Sequence, residues 1–221
     1  MRRHRPQHDI AQTGPGPYSW STSLSGTSVP QSFYQLKPTG LAGASVLKPP
    51  VFGDDRGYFS PTFNAEALRD AGISAEFTQD NQSLSRQVGT VRGLHAQRAP
   101  YEQAKLVRVL RGRALDVAVD GRPGSETFGQ WFSHELSADN HEQLFIPRGF
   151  LHGFMTLEPD TILAYKVDNA YAPDHEFSVR WNDPDLAIRW PDGVKAPLLS
   201  ERDAAAISWA DYLEMIGSAG S

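Results

Sequence analysis

The 221-residue chain contains no cysteine. That removes disulfide scaffolds, zinc–thiolate sites and thiol nucleophiles together. It has no surplus of positive charge either. With 21 Lys and Arg against 26 Asp and Glu, the net charge is −5, which disfavours a dedicated nucleic-acid binder. No apolar run approaches membrane-spanning length. The opening MRRHRPQHDIAQ is basic, but no apolar stretch follows it, so it is not a secretory signal and the cytoplasm is the expected setting. A chain this long buries most of its unfolded surface as one β-rich domain and needs no staple.

Residues 1–38 are rich in Ser, Thr, Gly, Pro and Gln, a composition that cannot offset its ordering entropy. They are expected to form a disordered extension, with Phe33 and Tyr34 docking on a single domain over residues 39–221. Within that domain, KLVRVLRG (105–112) and ALDVAVD (114–120) alternate apolar and polar residues with period two. They predict half-buried strands joined by a hairpin turn at Gly112-Arg113. The runs at 128–136, 142–147, 152–157 and 161–167 continue the series, with GRPGS (121–125) as turn chemistry. One helix is expected over 64–72, capped by Asn64 and closed at Gly72. Another is expected over 200–217, where Ser200 and Asp203 make a capping box. The spacing predicts an all-β fold, an antiparallel β-sandwich of jelly-roll type, with short helices including one at the C-terminus.

Two histidines have neighbours suited to chemistry. His95 lies in TVRGLHAQ beside Arg92 and Gly93, and His152 follows a Pro–Gly bend in IPRGFLHGF. Each alone reads as an ordinary loop or strand-start histidine. Taken in order, DDRGYF (54–59), FTQDNQS (77–83), VRGLHAQ (91–97), KLVRVLRG (105–112), IPRGFLHGF (146–154), YKVDNAYAPDHE (165–176), WNDPDLAIRWP (181–191) and LSERD (199–203) carry more. This series resembles the dTDP-4-dehydrorhamnose 3,5-epimerase family, which includes related sugar-nucleotide 3- and 5-epimerases, over residues 41–217.

The resemblance implies a cupin-like jelly roll, a homodimer and no cofactor. The implied substrate is of the dTDP-4-keto-6-deoxyglucose type, with C–H bonds at C3 and C5 flanking a carbonyl. Inverting either centre takes a base on one face, stabilisation of the enolate, and an acid on the other. The family motifs place the base on His95, its carboxylate partner on Asp203 and the acid on Tyr165. Lys105 falls near the C4 oxygen. Arg56 matches a phosphate-binding arginine and Arg92 a polar group near the diphosphate or the C4 oxygen, and Phe59, Gln79, Asn81 and Tyr171 match residues lining the nucleotide and sugar pocket. His152 matches a second pocket histidine that polarises or positions. The bland readings stand beside these: a cap for Asp203, a core strand residue for Tyr165, a solvent-facing Lys105 and a turn residue at Arg56.

The sequence also departs from the family pattern at Pro61, Ala96, Ala104 and Ala170. None removes a proton-transfer group, but they leave open whether C3, C5 or both are inverted. A 3- or 5-monoepimerase is therefore the runner-up. A metal-dependent cupin using His95, Gln97 and His152, and a binding module without catalysis, are the competing classes.

Overall fold

Period-two runs do become strands, and they assemble into two antiparallel sheets. The computed structural model describes residues 33–192 and 197–218. The first sheet has the order β1 (Gln35–Pro38), β2 (Ser45–Lys48), β10 (Gln143–Ile146), β7 (Lys105–Arg111), β12 (Thr161–Val167) and β5 (Gln79–Ser85). The second has the order β13 (Glu176–Ser178), β6 (Val91–Gln97), β11 (Phe150–Thr156), β8 (Arg113–Asp120) and β9 (Trp131–Ser137). A separate hairpin joins β3 (Phe52–Asp54) to β4 (Gly57–Phe59). Val107, Val109, Leu144 and Leu163 from the first sheet meet Ala114, Ala118, Leu136 and Phe154 from the second in one core. This is the expected sandwich of facing sheets. Outside the first sheet, α1 (Ala65–Asp70) brings Leu68 against Tyr34, Leu47 and Leu106. Outside the second, Trp209 and Tyr212 of α3 (Trp209–Ser218) cover Leu94, Val117, Val119 and Leu151. Among the described residues no helix is long and apolar enough to cross a membrane.

Three expectations need correction. Strands β7 and β8 flank Gly112 but do not pair, because the chain there passes from one sheet to the other. The expected hairpin is a corner. Gly112 has φ +76, and a Cβ would lie 2.5 Å from Thr161 Oγ1, so glycine is required twice over. The expected C-terminal helix is two, α2 (Glu201–Ala204) and α3. Between them Ile207 joins the second sheet's margin: its N–H donates to Ser178 O at 3.0 Å, and its carbonyl accepts from Arg180 N–H at 2.9 Å. Ser208 then caps α3 with Asp211 in a reciprocal capping box, at 3.1 and 2.9 Å.

The domain also starts earlier than expected. Tyr34 is completely buried, and Gln35–Pro38 pairs with β2. That strand is exposed along its length and held by backbone bonds, so it leaves no apolar signature. Residues 1–32 of the expected extension lie outside the described residues. Removing residues 1–32 is expected to leave oligomeric size and activity intact. Removing 1–38 takes away Tyr34 and β1, with an expected loss of about 3 kcal/mol or more, the scale of deleting one large buried side chain. Thermal unfolding of the two truncations side by side checks this. Equal melting temperatures would show that Tyr34 and β1 contribute nothing.

Candidate active site

The site grows out of an irregularity in β6. His152 on β11 stands opposite His95, and Phe154 opposite Arg92, so Gly93 and Leu94 together face Gly153 alone. Such a bulge turns the following side chain relative to a regular strand. Gly93 has φ +121, and a Cβ there would sit 2.6 Å from Gly153 Cα and 2.7 Å from His152 O. Only glycine permits this approach.

Past the bulge, His95 meets Asp203, whose Oδ1 lies 2.5 Å from the imidazole Nε2. Asp203 is 4 % exposed and His95 29 %. The aspartate's other oxygen accepts from Ser200 Oγ at 2.8 Å, while its own N–H donates to Ser200 Oγ at 3.1 Å. The capping role and the histidine-partner role are thus held simultaneously, one on each carboxylate oxygen. Burial pushes the Asp203 carboxyl up. The bonds from His95, Ser200 and the Gly93 N–H outweigh it, and the group stays below the usual carboxylate range.

His95 opens onto a cleft of about 280 Å³ between the two sheets. Gln79, Asn81, Lys105 and Tyr165 line it from the first sheet, and His95, Gln97, Phe150 and Glu176 from the second. Tyr171 stands at the rim. Base and acid candidates therefore come from opposite walls. Burial, with the negative Glu176 nearby, raises the Tyr165 phenol against a smaller opposing pull from Arg92. Its hydroxyl stays protonated at neutral pH. Burial lowers Lys105 to about 8, while Asp116 and Glu176 hold it up from falling further. The cleft thus presents an ammonium poised near neutrality.

Seven more sequence-derived residues take different places. Gln79, Asn81 and Tyr171 are in the cleft with His95, Lys105 and Tyr165. His152 is buried on β11 beside His95. Arg92 reaches Ser85 Oγ at 3.3 Å and Leu84 O at 3.4 Å. Arg56 and Phe59 are not brought to the cleft by this chain: they sit on the exposed β3–β4 hairpin, where Arg56 ion-pairs with Asp54. That is the turn reading of Arg56, set by its spacing of two from the aspartate.

Glu176 is the residue that sequence reasoning missed. It faces the cleft from β13, accepts from Tyr171 Oη at 2.6 Å and pairs with Arg202 at 2.5 Å. Burial raises its carboxyl, but those two partners bring it below its ordinary value. Its only sequence signal was its place in the DHE run after YKVDNAY. Gln97, the second ligand position of the metal-cupin reading, is committed elsewhere. Its amide donates to Tyr101 O and Ala170 O, at 2.6 and 3.1 Å, and accepts from Ala172 N–H at 2.7 Å. Among the described residues no three His, Asp or Glu side chains are grouped to hold a metal.

Comparison with known proteins places the chain in a family. The profile of the dTDP-4-dehydrorhamnose 3,5-epimerase family matches residues 38–211. The enzyme of that name from Pseudomonas aeruginosa is 48% identical over 179 residues, covering 80% of this chain and 97% of its own. The crystal structure of the Bacillus anthracis dTDP-4-dehydrorhamnose 3,5-epimerase, with TDP and PPi bound, is 47% identical. It superposes with a TM-score of 0.77 over 79% of this chain and 99% of that one. A 3'-monoepimerase from Streptomyces bikiniensis in complex with dTDP-quinovose is also similar, at 37% identity and a TM-score of 0.75, covering 81% of this chain and 90% of that one. With this fold and a family match over most of its length, the chain belongs to the dTDP-4-dehydrorhamnose 3,5-epimerase family and is an isomerase of the epimerase type.

Proposed function

We propose that this enzyme epimerises a dTDP-4-keto-6-deoxyhexose at C3 and C5 by stepwise proton transfer through an enolate. The observation that supports this most is the placement of a carboxylate-held histidine and a half-buried phenol on opposite walls of one cleft. Asp203 keeps the proton on the facing nitrogen of His95, which leaves the other ring nitrogen free to take a proton from carbon. Lys105 stabilises negative charge on the C4 oxygen as the C–H bond breaks. Tyr165 delivers a proton to the opposite face. Gln79, Asn81, Arg92 and Tyr171 contribute to holding the nucleotide sugar, with Glu176 fixing Tyr171 before substrate arrives. Incubation with dTDP-4-keto-6-deoxyglucose in deuterated water tests the reading. Deuterium at C3 and C5 of an inverted product is expected, and no incorporation at either carbon would refute it. Label and inversion at one centre only would make the enzyme a monoepimerase, like the Streptomyces bikiniensis enzyme to which it is 37% identical.

The working form is proposed to be a homodimer. The exposed Tyr58 of the hairpin, with Leu84, Val88 and Leu110, offers apolar surface of the kind copies bury against each other.

Lys105 sets a pH limit. As an ammonium with a pKa lowered to about 8, it is charged below that value and neutral above it. The rate is expected to fall as pH rises through about 8, and Lys105→Arg is expected to remove that alkaline limb while lowering kcat. A limb at the same pH in the Arg variant would assign it to another group.

A further inference from the structure

Tyr171 stands at the rim of the cleft and is 55% exposed, so packing does not fix its ring. Polar restraints do so instead. Gln97, 7% exposed, commits its carboxamide to the backbone on both sides of that residue. Its Nε2 donates to Ala170 O at 3.1 Å, and its Oε1 accepts from Ala172 N–H at 2.7 Å. The second Nε2 hydrogen goes to Tyr101 O at 2.6 Å, in the neighbouring 98–104 loop. The two loops are also joined directly. Gln103 Nε2 donates to Asn169 O at 2.8 Å, and Asn169 Nδ2 donates to Pro100 O and Glu102 O at 3.0 and 3.2 Å.

Both restraints on Tyr171 spring from one rung of the second sheet. Gln97 on β6 and Glu176 on β13 are direct cross-strand partners, and such partners stand side by side on one face. Glu176 takes the phenol hydroxyl at 2.6 Å, while Gln97 takes the backbone on either side of the ring. His95 lies two residues before Gln97 on β6, so it shares that face at about 7 Å along the strand. One strand thus carries the proposed base and the support of the rim at a fixed separation.

We infer that Gln97 is a positioning residue for ligand binding: it acts through Tyr171, holding that ring in place before the nucleotide sugar arrives. The carboxamide makes three of the four bonds open to it, all to backbone, so it has at most one lone pair to offer a ligand. The ligand rests on the nucleotide-sugar reading above, and the bracket around Tyr171 rests on the bonds alone. The reacting sugar belongs inside with His95 and Lys105, and Tyr171 lies at the mouth, so dTDP without its sugar is the probe.

Titration calorimetry of dTDP into the full chain tests this. Gln97→Met keeps the length and neutrality of the side chain and makes none of the three bonds. If the held pose then falls to about a tenth of the population, the dissociation constant rises about tenfold. Tyr171→Ala alone should also weaken binding. In the Tyr171→Ala background, Gln97→Met should add less than about twofold, because the ring it served is gone. With the keto sugar, the rise in KM for Gln97→Met should exceed the fall in kcat. The inference is overturned if the wild-type protein does not bind dTDP, or if either single variant binds it as tightly as wild type. It is equally overturned if the two losses add in full, or if kcat falls with KM unchanged. Should Gln97→Met not fold, the wild-type amides decide. The Ala172 N–H should exchange slowly in deuterated water before any ligand is added, and exchange at the unfolded-chain rate would overturn the bracket. A wild-type enzyme that binds dTDP with this coupling, yet leaves the keto sugar unexchanged, would reject the epimerase reading and leave this inference standing.

Discussion

Replacing His95 with Asn is expected to abolish deuterium exchange at both C3 and C5, by about 10²- to 10⁴-fold, the range for a single general base. The side chain is partly exposed and, among the described residues, hydrogen-bonds to Asp203, so the fold should survive its loss. Asp203→Asn is the companion. It should leave the sandwich intact, lower stability by about 1 kcal/mol through the weakened Ser200 cap, and cut the rate about 10³-fold or more through loss of tautomer control. Full activity with only a lowered melting temperature would leave Asp203 as a helix cap and nothing else. Exchange persisting at one carbon in His95→Asn would require a second base for that centre.

Tyr165→Phe is expected to separate exchange from inversion. The substitution removes one hydroxyl and leaves His95 and Lys105 in place on their strands and Asp203 on α2. His95 can still take a proton and return a deuteron to the same face, so label should continue to enter the substrate. Inversion needs a donor on the other face, and should fall by about two orders of magnitude or more. Both signals can be followed by NMR in one sample in deuterated water. A parallel fall in both would reduce Tyr165 to holding the sugar, and unchanged inversion would pass the acid role to another donor such as Tyr171.

What could be seen beforehand divides along physical lines. The alternation in ALDVAVD marks a strand, and β8 is one. It also suggests that Asp116 and Asp120 face water, yet both are completely buried. Leu115, Val117 and Val119 pack outward beneath the C-terminal helix, while the Ala–Asp side points between the sheets. Periodicity reveals a strand's two faces but not which is wet when both are covered. The same limit hid β5, an edge strand of polar sequence, and the corner at Gly112, where turn chemistry is visible but the sheet being entered is not. The cleft residues were legible through ordered motifs, because motif likeness carries spatial adjacency that local pattern does not. Glu176 depends on β13 lying beside β6, a pairing no local feature announces. Arg56 and Phe59 show the reverse case: the motif placed them at the pocket, and the chain's own hairpin holds them away from it.

The His95–Asp203 bond spans 108 positions of sequence and is closed by a four-residue helix that follows both sheets in the chain. During synthesis, every strand can be made and paired before the base acquires its partner. A chain interrupted near residue 200 would carry the whole sandwich and the entire cleft lining, and still be unable to tell one nitrogen of His95 from the other. On the roles proposed for His95 and Asp203, catalytic competence in this enzyme is a late event of biosynthesis, separable in time from the formation of its fold.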